Sequence, residues 1–368
     1  MMKIYHFLLD HRINGHHIYV KSFIGKLSSK TSQIIITPGK GPFTDIRLIC
    51  IRHFWKPLYL IEIFLNVLLI LFFSLFKKIE RKQTVFCVHG AANIAPIIAA
   101  RILHVPVVWY FHEAVEAYKL IVNTGLKFLS PGRYQLVAVI DKVAEVYGLV
   151  NYVVLHASVD LAFWDTNNIS DQQKKEIKKT HDTFNILCVG NLNPLKGHDI
   201  LLDALGEFNS EGELFLIGSA LTTQKKYFNL LQEKSKKINK KLPNLHIRFL
   251  GYKNQEEIRS YLMNCDVFVL PSRSEACPTV LLEAMAMRCV CVATSVGGVP
   301  KIISSSSMGI TIPASDPVAL RYAIEKVYAI SKKERLAIGN LARARIENDF
   351  SSQQIAMQHL KIYQSLVG

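Results

Sequence analysis

Short β-branched, apolar runs alternate along the chain with longer stretches of helical periodicity, the pattern of a parallel sheet wrapped by helices. In the first half, runs 3–9, 33–37, 84–88, 105–110, 136–140 and 152–155 predict strands, and 16–29, 57–79, 92–103 and 141–148 predict helices. Between Asp165 and Asp182 only Ile169 and Ile177 are apolar, which predicts a polar linker. A second series follows, with strands at 184–189, 213–217, 246–250, 267–270 and 289–293. Its helices fall at 197–208, 222–240, 255–263, 278–287 and 316–330, and 332–366 reads as two helices with no strand between them. The predicted organisation is a domain over 1–165, a linker over 166–182, a second domain over 183–345, and a closing helix at 346–368 that packs back on the first domain. Two doubly wound halves joined by a hinge imply a cleft. In open parallel sheets, ligands bind beyond the carboxyl ends of the strands.

One predicted helix departs from the pattern. Residues 57–76 read PLYLIEIFLNVLLILFFSLF, with Glu62 as the only charge and Lys77, Lys78, Arg81 and Lys82 just after. That length could cross a bilayer. It also fits a core helix, or one whose outer face rests on a membrane. A crossing here would cut the first α/β domain in two, so the core or interfacial reading is preferred. Glu62 and Asn66, one turn apart, would form a polar stripe.

Composition narrows the classes. The chain has 368 residues, half of them apolar, a fifth charged and a tenth aromatic, which excludes wholesale disorder and suits two domains. Its net charge is +15, and 18 of the 44 basic and 10 of the 29 acidic residues lie before 166. An evenly spread surplus favours anionic partners such as nucleotide phosphates or an anionic lipid surface. No basic helix interleaved with aromatics is present, so nucleic acid is not expected. The seven cysteines form no C-x-x-C pair and no metal spacing, and read as reduced core thiols. The apolar run at the N-terminus is too short for a secretory signal. A cytoplasmic protein, peripheral on the inner face of the membrane, is expected.

Two segments carry candidate chemistry. In PSRSEACPTVLLE (271–283) a strand ends at Pro271 and a helix opens near Pro278, so the first N–H groups, at Thr279 and Val280, form an anion site. Glu275 and Glu283 beside it would repel a phosphate they faced, yet would accept hydrogen bonds from hydroxyls flanking one. A nucleotide sugar has that arrangement. A helix cap at Glu275 and a solvated Glu283 are the plainer alternative. In GNLNPLKG (190–197) a loop between strand and helix carries Lys196, which can neutralise a departing diphosphate or simply face solvent. Neither a Walker loop nor G-x-G-x-x-G occurs.

These pieces together resemble the donor-binding domain of the retaining glycosyltransferases of family 4, which have the GT-B fold. Gly190…Lys196-Gly197 is similar to the family's G-R-x-x-x-x-K-G loop, Gly218 to its strand-end glycine, and Phe249-Leu250-Gly251 to its F-x-G turn near the base. Glu275 to Glu283 matches E-x7-E, and Gly297-Gly298-Val299-Pro300 the G-G-x-P turn. The first half is similar more loosely, at Asn14-Gly15, Val88-His89-Gly90, Tyr110-Phe111-His112-Glu113 and Val159-Asp160. The resemblance implies that Glu275 contacts the donor sugar and Glu283 the ribose. It places the diphosphate on Lys196, with Gly15, Gly190, Gly218, Pro278, Thr279 and Val280 around the donor and His112 on the transferred sugar or the acceptor. His89 is read as structural, and His16, His17 and His198 as surface residues or one layer back from the ligand. Asn191 replaces the family's usual arginine, with Arg273 as a candidate substitute, and Lys301 replaces the acid of G-G-x-P-E.

The implied activity moves a hexose-type sugar, with retention, from a nucleoside-diphosphate sugar to a saccharide or lipid-linked saccharide in polysaccharide synthesis. No D-x-D occurs, so no metal and no cofactor are expected. A nucleotide-sugar epimerase or phosphorylase of GT-B build and a non-catalytic nucleotide-sugar-binding subunit are the alternatives.

Overall fold

A computed structural model describes residues 1–8, 15–27, 30–38, 44–48, 56–76, 79–129, 132–166, 183–208 and 210–368. Asn14, Cys50 and nearly all of the predicted linker lie outside them. The chain divides into two compact units, Met1–Ser158 with Ser352–Gly368, and Val159–Ser351.

The first unit is one parallel sheet of β1 (Met2–Phe7), β2 (Thr31–Pro38), β3 (Ile46–Leu48), β4 (Thr84–His89), β5 (Val107–Phe111), β6 (Tyr134–Ala138) and β7 (Tyr152–Val154). Their order is β3-β2-β1-β4-β5-β6-β7, so the winding reverses between β1 and β4. Every residue of β4 and β5 is buried, as expected of parallel strands covered on both faces. Its helices are α1 (Gly15–Leu27), α2 (Lys56–Phe76), α3 (Ala95–Leu103), α4 (Lys119–Leu129) and α5 (Asp141–Tyr147).

Helix α2 is the crossover between β3 and β4 of this one sheet, and it packs on the unit rather than leaving it. The Phe73 ring meets Tyr5 edge-on at 6.1 Å, and the Tyr59 hydroxyl donates to the Ala92 carbonyl at 2.6 Å. Asn66, Val67, Ile70 and Ser74 are buried. Leu60, Phe64, Leu68 and Phe72, spaced every four residues, are exposed together with Leu75 and Phe76. The polar position Asn66 thus faces the protein, while an apolar stripe faces out.

The second unit has β8 (Phe184–Val189), β9 (Gly212–Ile217), β10 (Leu245–Gly251), β11 (Val267–Leu270), β12 (Val290–Thr294) and β13 (Ile310–Ile312). All are parallel, in the order β10-β9-β8-β11-β12-β13, with the reversal between β8 and β11. Helices α6 (His198–Leu205), α7 (Lys225–Lys241), α8 (Gln255–Asn264), α9 (Thr279–Ala286), α10 (Val299–Ile302), α11 (Pro317–Ala329) and α12 (Lys332–Asp349) cover it. Phe184, Leu201, Phe208, Leu214 and Val269 meet in its core. Capping boxes at Asn254/Glu257 and Ser331/Glu334 start α8 and α12. The last helix, α13 (Ser352–Val367), belongs to the first unit.

The boundaries differ from those predicted, 158/159 and 351/352 in place of 165 and 345. The cause is local packing. Arg259 lies 4.5 Å over the Phe163 ring and donates to its carbonyl, while Arg343 bonds Trp164 and Asp165. Val159 pairs with Ser351. The pattern reading also missed β3 and β13, which are three residues each, and helices α4 and α10.

Candidate active site

Where the second sheet reverses its winding, the loops after β8 and β11 lie side by side. Lys196 comes from the first and Glu275 from the second. Lys196 Nζ donates to Glu275 Oε1 at 2.7 Å, and Ser272 Oγ donates to the same oxygen at 2.7 Å. Among the described residues Oε2 of Glu275 has no protein partner. The Glu275 side chain is 7% exposed and that of Lys196 29%, so the ion pair borders solvent at the lysine side.

Two glycines make this approach possible. Gly197 has φ +67°, and a Cβ there would lie 2.0 Å from the Pro271 carbonyl oxygen at the end of β11. Gly297, at φ +52°, would press a Cβ to 1.7 Å from the Glu275 carbonyl oxygen. Gly298 N–H donates to the Ala276 carbonyl at 2.7 Å, so the 297–298 turn supports the Glu275 loop from below. Side chains at either glycine would push the lysine and the acid apart.

Pro278 is the N-cap of α9, and Thr279 and Val280 are its first two helical residues. Helix geometry leaves their N–H groups without a helical acceptor. Glu283, further along α9, is buried, and burial alone pushes its carboxyl up to about 8. Gly190 follows β8 with its N–H on the Ile217 carbonyl, and Gly218 follows β9 with its N–H on the Gly251 carbonyl. Asn191 is exposed. Beyond β9 and β10 a cavity of about 480 Å³ is lined by Leu192, Gly218, Ser219, Thr222, Lys225 and Phe249, among others.

The Arg273 guanidinium holds both oxygens of Asp199, at 2.9 and 2.6 Å, and the Pro194 carbonyl at 2.5 Å. Asp199 also accepts from the Tyr227 hydroxyl at 2.7 Å, and hydrogen bonds from Arg273 and Tyr227 hold its carboxyl low against the opposing effect of burial. Arg273 is a strut between the two loops, its guanidinium held by Asp199 and the Pro194 carbonyl. His198 is fully buried, which leaves the position one layer back from a ligand rather than the surface one. Neither ring nitrogen has a partner among the described residues, and burial, then the Lys196 charge, push it down to about 4. Ser272, Asp199 and Tyr227 were not anticipated, and nothing in their sequence context marked them. Gly297 and Gly298 were visible as a motif.

In the first unit, Gly15 opens α1 and His112 follows β5, nearly buried. The neighbouring Glu113 carboxyl is raised by burial. His112 Nε2 lies 3.0 Å from His89 Nδ1, and His89 Nε2 lies 3.1 Å from His6 Nδ1. His89 is fully buried, parallel to Tyr110 at 4.5 Å. Among the described residues no three His, Cys, Asp or Glu are grouped to hold a metal ion.

Residues 169–345 match the family Glycosyl transferases group 1. The matched segment lies within the second unit. An uncharacterized glycosyltransferase of Methanocaldococcus jannaschii is 30% identical over 195 residues, 52% of this chain and 51% of that protein. The putative colanic acid biosynthesis glycosyltransferase WcaL of Escherichia coli is 24% identical over 201 residues, 52% of this chain and 48% of that one. The chain spans about half the length of these relatives. Among solved structures, HepE of Anabaena in complex with UDP superposes with a TM-score of 0.82 at 15% identity, covering 100% of both chains. Its complex with UDP-glucose gives 0.81 at 17% identity, again over 100% of both. Two all-parallel α/β domains with GT-B glycosyltransferases as structural neighbours establish the fold class.

Proposed function

We propose that this chain is a retaining glycosyltransferase of family 4 type, moving a hexose-type sugar from a nucleoside-diphosphate sugar to a saccharide or lipid-linked saccharide in cell-surface polysaccharide synthesis. The observation that carries the reading is the Lys196–Glu275 pair, 2.7 Å apart at the reversal point of the second sheet, beside the α9 N-terminus. An anion site and a hydroxyl acceptor there match a diphosphate joined to a sugar. UDP and UDP-glucose bound to the structural neighbour, and the polysaccharide relative, support the donor class and the setting.

In the proposed reaction Glu275 Oε2 accepts from hydroxyls of the transferred sugar, Glu283 from the ribose, and the cavity beyond β9 and β10 takes the base. The bond from the anomeric carbon to the phosphate oxygen breaks while the acceptor oxygen bonds the same face. The acceptor proton passes to the departing phosphate oxygen. Lys196 and the first N–H groups of α9 meet the charge that develops on that oxygen, which is where preorganised dipoles lower a barrier most. His112 is assigned to a hydroxyl of the sugar or acceptor. No metal is needed in this scheme.

The outward stripe of α2, from Leu60 to Phe76, with Lys82 and its basic neighbours next in sequence, supports docking on an anionic lipid surface. A lipid-linked acceptor would be met there.

The test is a panel of nucleotide sugars with and without saccharide acceptors, in excess EDTA. Product that keeps the donor's anomeric configuration supports the proposal. Strict Mn²⁺ dependence or inversion contradicts it. Donor turnover without any acceptor favours an epimerase, and unaltered polymer synthesis by Glu275→Ala favours a non-catalytic subunit.

A further inference from the structure

A groove of the first unit runs into the outward stripe of α2. It has a volume of about 180 Å³ and lies between that helix and the edge of the sheet, where β3 pairs with the last residues of β2. Ile36 and Ile70 line it and are buried, so they form its floor. Its walls include Ile46 of β3 and Leu69, Phe72 and Phe76 of α2. Those three α2 residues are also exposed on the stripe, with the Phe72 and Phe76 rings 4.6 Å apart. Groove and stripe are therefore one continuous apolar surface. A hydrocarbon chain can move from a bilayer under the stripe into the groove without crossing water, which is the step that would cost most.

Among the described residues lining the groove, Arg47 alone is polar. It is exposed on the edge strand, and among the described residues no carboxylate pairs with it. A long cationic side chain at the rim of an apolar slot lays its stem on the wall and keeps its head at the water boundary. A guanidinium held there suits a phosphate, which it meets with two parallel charge-assisted hydrogen bonds. The groove is also small. At the ~30 Å³ of one water it has room for roughly six methylene-sized groups, a short stretch of one chain. A diacyl lipid would leave its second chain outside, and a free saccharide has no apolar part to fill the slot.

We propose that the groove between α2 and β3 binds the hydrocarbon chain of a single-chain lipid phosphate, with the phosphate on Arg47, and that this lipid is the anchor of the saccharide acceptor. The stripe then rests on the membrane while the groove draws one lipid out of it. The acceptor role rests on the transferase reading above; the lipid site itself does not.

The experiment is photolabelling of the full chain with farnesyl phosphate that carries a diazirine in its chain, followed by peptide mass spectrometry. Label is expected on residues 46–48 and 69–76. Ile46→Trp fills the groove and should remove that label. Should Ile46→Trp fold poorly, Leu69→Trp closes the groove from the helix side and should do the same. Arg47→Ala should weaken binding of farnesyl phosphate by about tenfold or more, while binding of uncharged farnesol stays as it was. In the unaltered chain, KM for a saccharide joined to farnesyl phosphate should lie about tenfold or more below that for the same saccharide free. Label that survives both tryptophans, or farnesyl phosphate held no tighter than farnesol, would overturn the site. Equal KM for the two acceptors, or displacement of the probe by an equal concentration of short-chain phosphatidylglycerol, would overturn the choice of an acceptor lipid over a bilayer lipid. If neither acceptor is used while the groove is labelled and Arg47→Ala acts as expected, the transferase reading fails and the lipid site stands.

Discussion

Glu283 offers a way to detect the donor site by counting protons. Its carboxyl is buried, with a pKa pushed up to about 8 by burial alone. If ribose hydroxyls bind the carboxylate, the donor must first remove that proton. Apparent affinity is then reduced by a factor of 1 + 10^(pKa − pH), about 11 at pH 7, about 2 at pH 8 and close to 1 at pH 9. Donor should bind about tenfold tighter at pH 9 than at pH 7, or ~1.4 kcal/mol, and release about 0.9 proton at pH 7. His198, pushed down to about 4, stays neutral across this range and does not confuse the count. A nucleotide sugar is the right probe because its diphosphate carries constant charge there. Isothermal titration calorimetry in buffers of differing ionisation heat reads affinity and proton release together. Glu283→Gln should flatten both, binding about as well as the unaltered chain at pH 7 and less well at pH 9. Equal affinity at pH 7 and 9, or the same slope in Glu283→Gln, would refute the reasoning. Without donor the same shift has the opposite sense. The folded chain holds a proton that the unfolded chain releases, so the contribution of Glu283 to stability falls as pH rises from 4.5 toward 8.

Four further outcomes are expected. Lys196→Ala should lower turnover by about a hundredfold or more, in line with loss of a single charge-stabilising donor. Arg273→Ala should mainly cost stability, by about 1 kcal/mol for a partly exposed ion pair, so equal losses of turnover in both variants would contradict their assigned roles. In the first unit, burial and the charge of neighbouring His6 push His359 down to about 3, while burial pushes His6 down to about 4. Both sit below the unfolded value of 6.5, so their contribution is complete above pH 6.5 and is lost as pH falls toward 4 and then 3, by about 3 kcal/mol for His6 and about 5 kcal/mol for His359. Urea unfolding at stepped pH should show this decline, and His359→Gln should make it shallower; an unchanged slope would mean His359 is not neutral in the fold. Finally, Leu68→Glu with Phe72→Glu should abolish sedimentation with anionic vesicles, and retained binding would remove α2 from the docking surface.

The sequence made the second unit more legible than the first for a physical reason. Around Lys196 and Glu275, turn chemistry is dictated by backbone contact. Gly197 and Gly297 must be glycine where a Cβ would strike a carbonyl, so their spacing survives as a readable motif. The partners of those loops are side-chain contacts that leave no such trace. Asp199 holding Arg273 and Ser272 supporting Glu275 depend on which strands end side by side, which spacing alone does not state. The same holds for His6 and His89, single residues on separate strands whose alignment is a property of register. In α2, hydropathy gave the helix but could not choose its buried face, because nearly every position is apolar. Packing turned Asn66 and Ser74 inward. The domain boundary was misplaced because Phe163 and Trp164 look like the end of the first series yet pack under Arg259 and Arg343.

The central claim concerns where a diphosphate lies. A crystal structure of the full chain with a non-hydrolysable nucleotide sugar tests it most directly. The account predicts phosphate oxygens within hydrogen-bond reach of Lys196 Nζ and of the Thr279 and Val280 N–H groups, with sugar hydroxyls on Glu275. A diphosphate bound elsewhere, with the Lys196–Glu275 pair untouched, would contradict it.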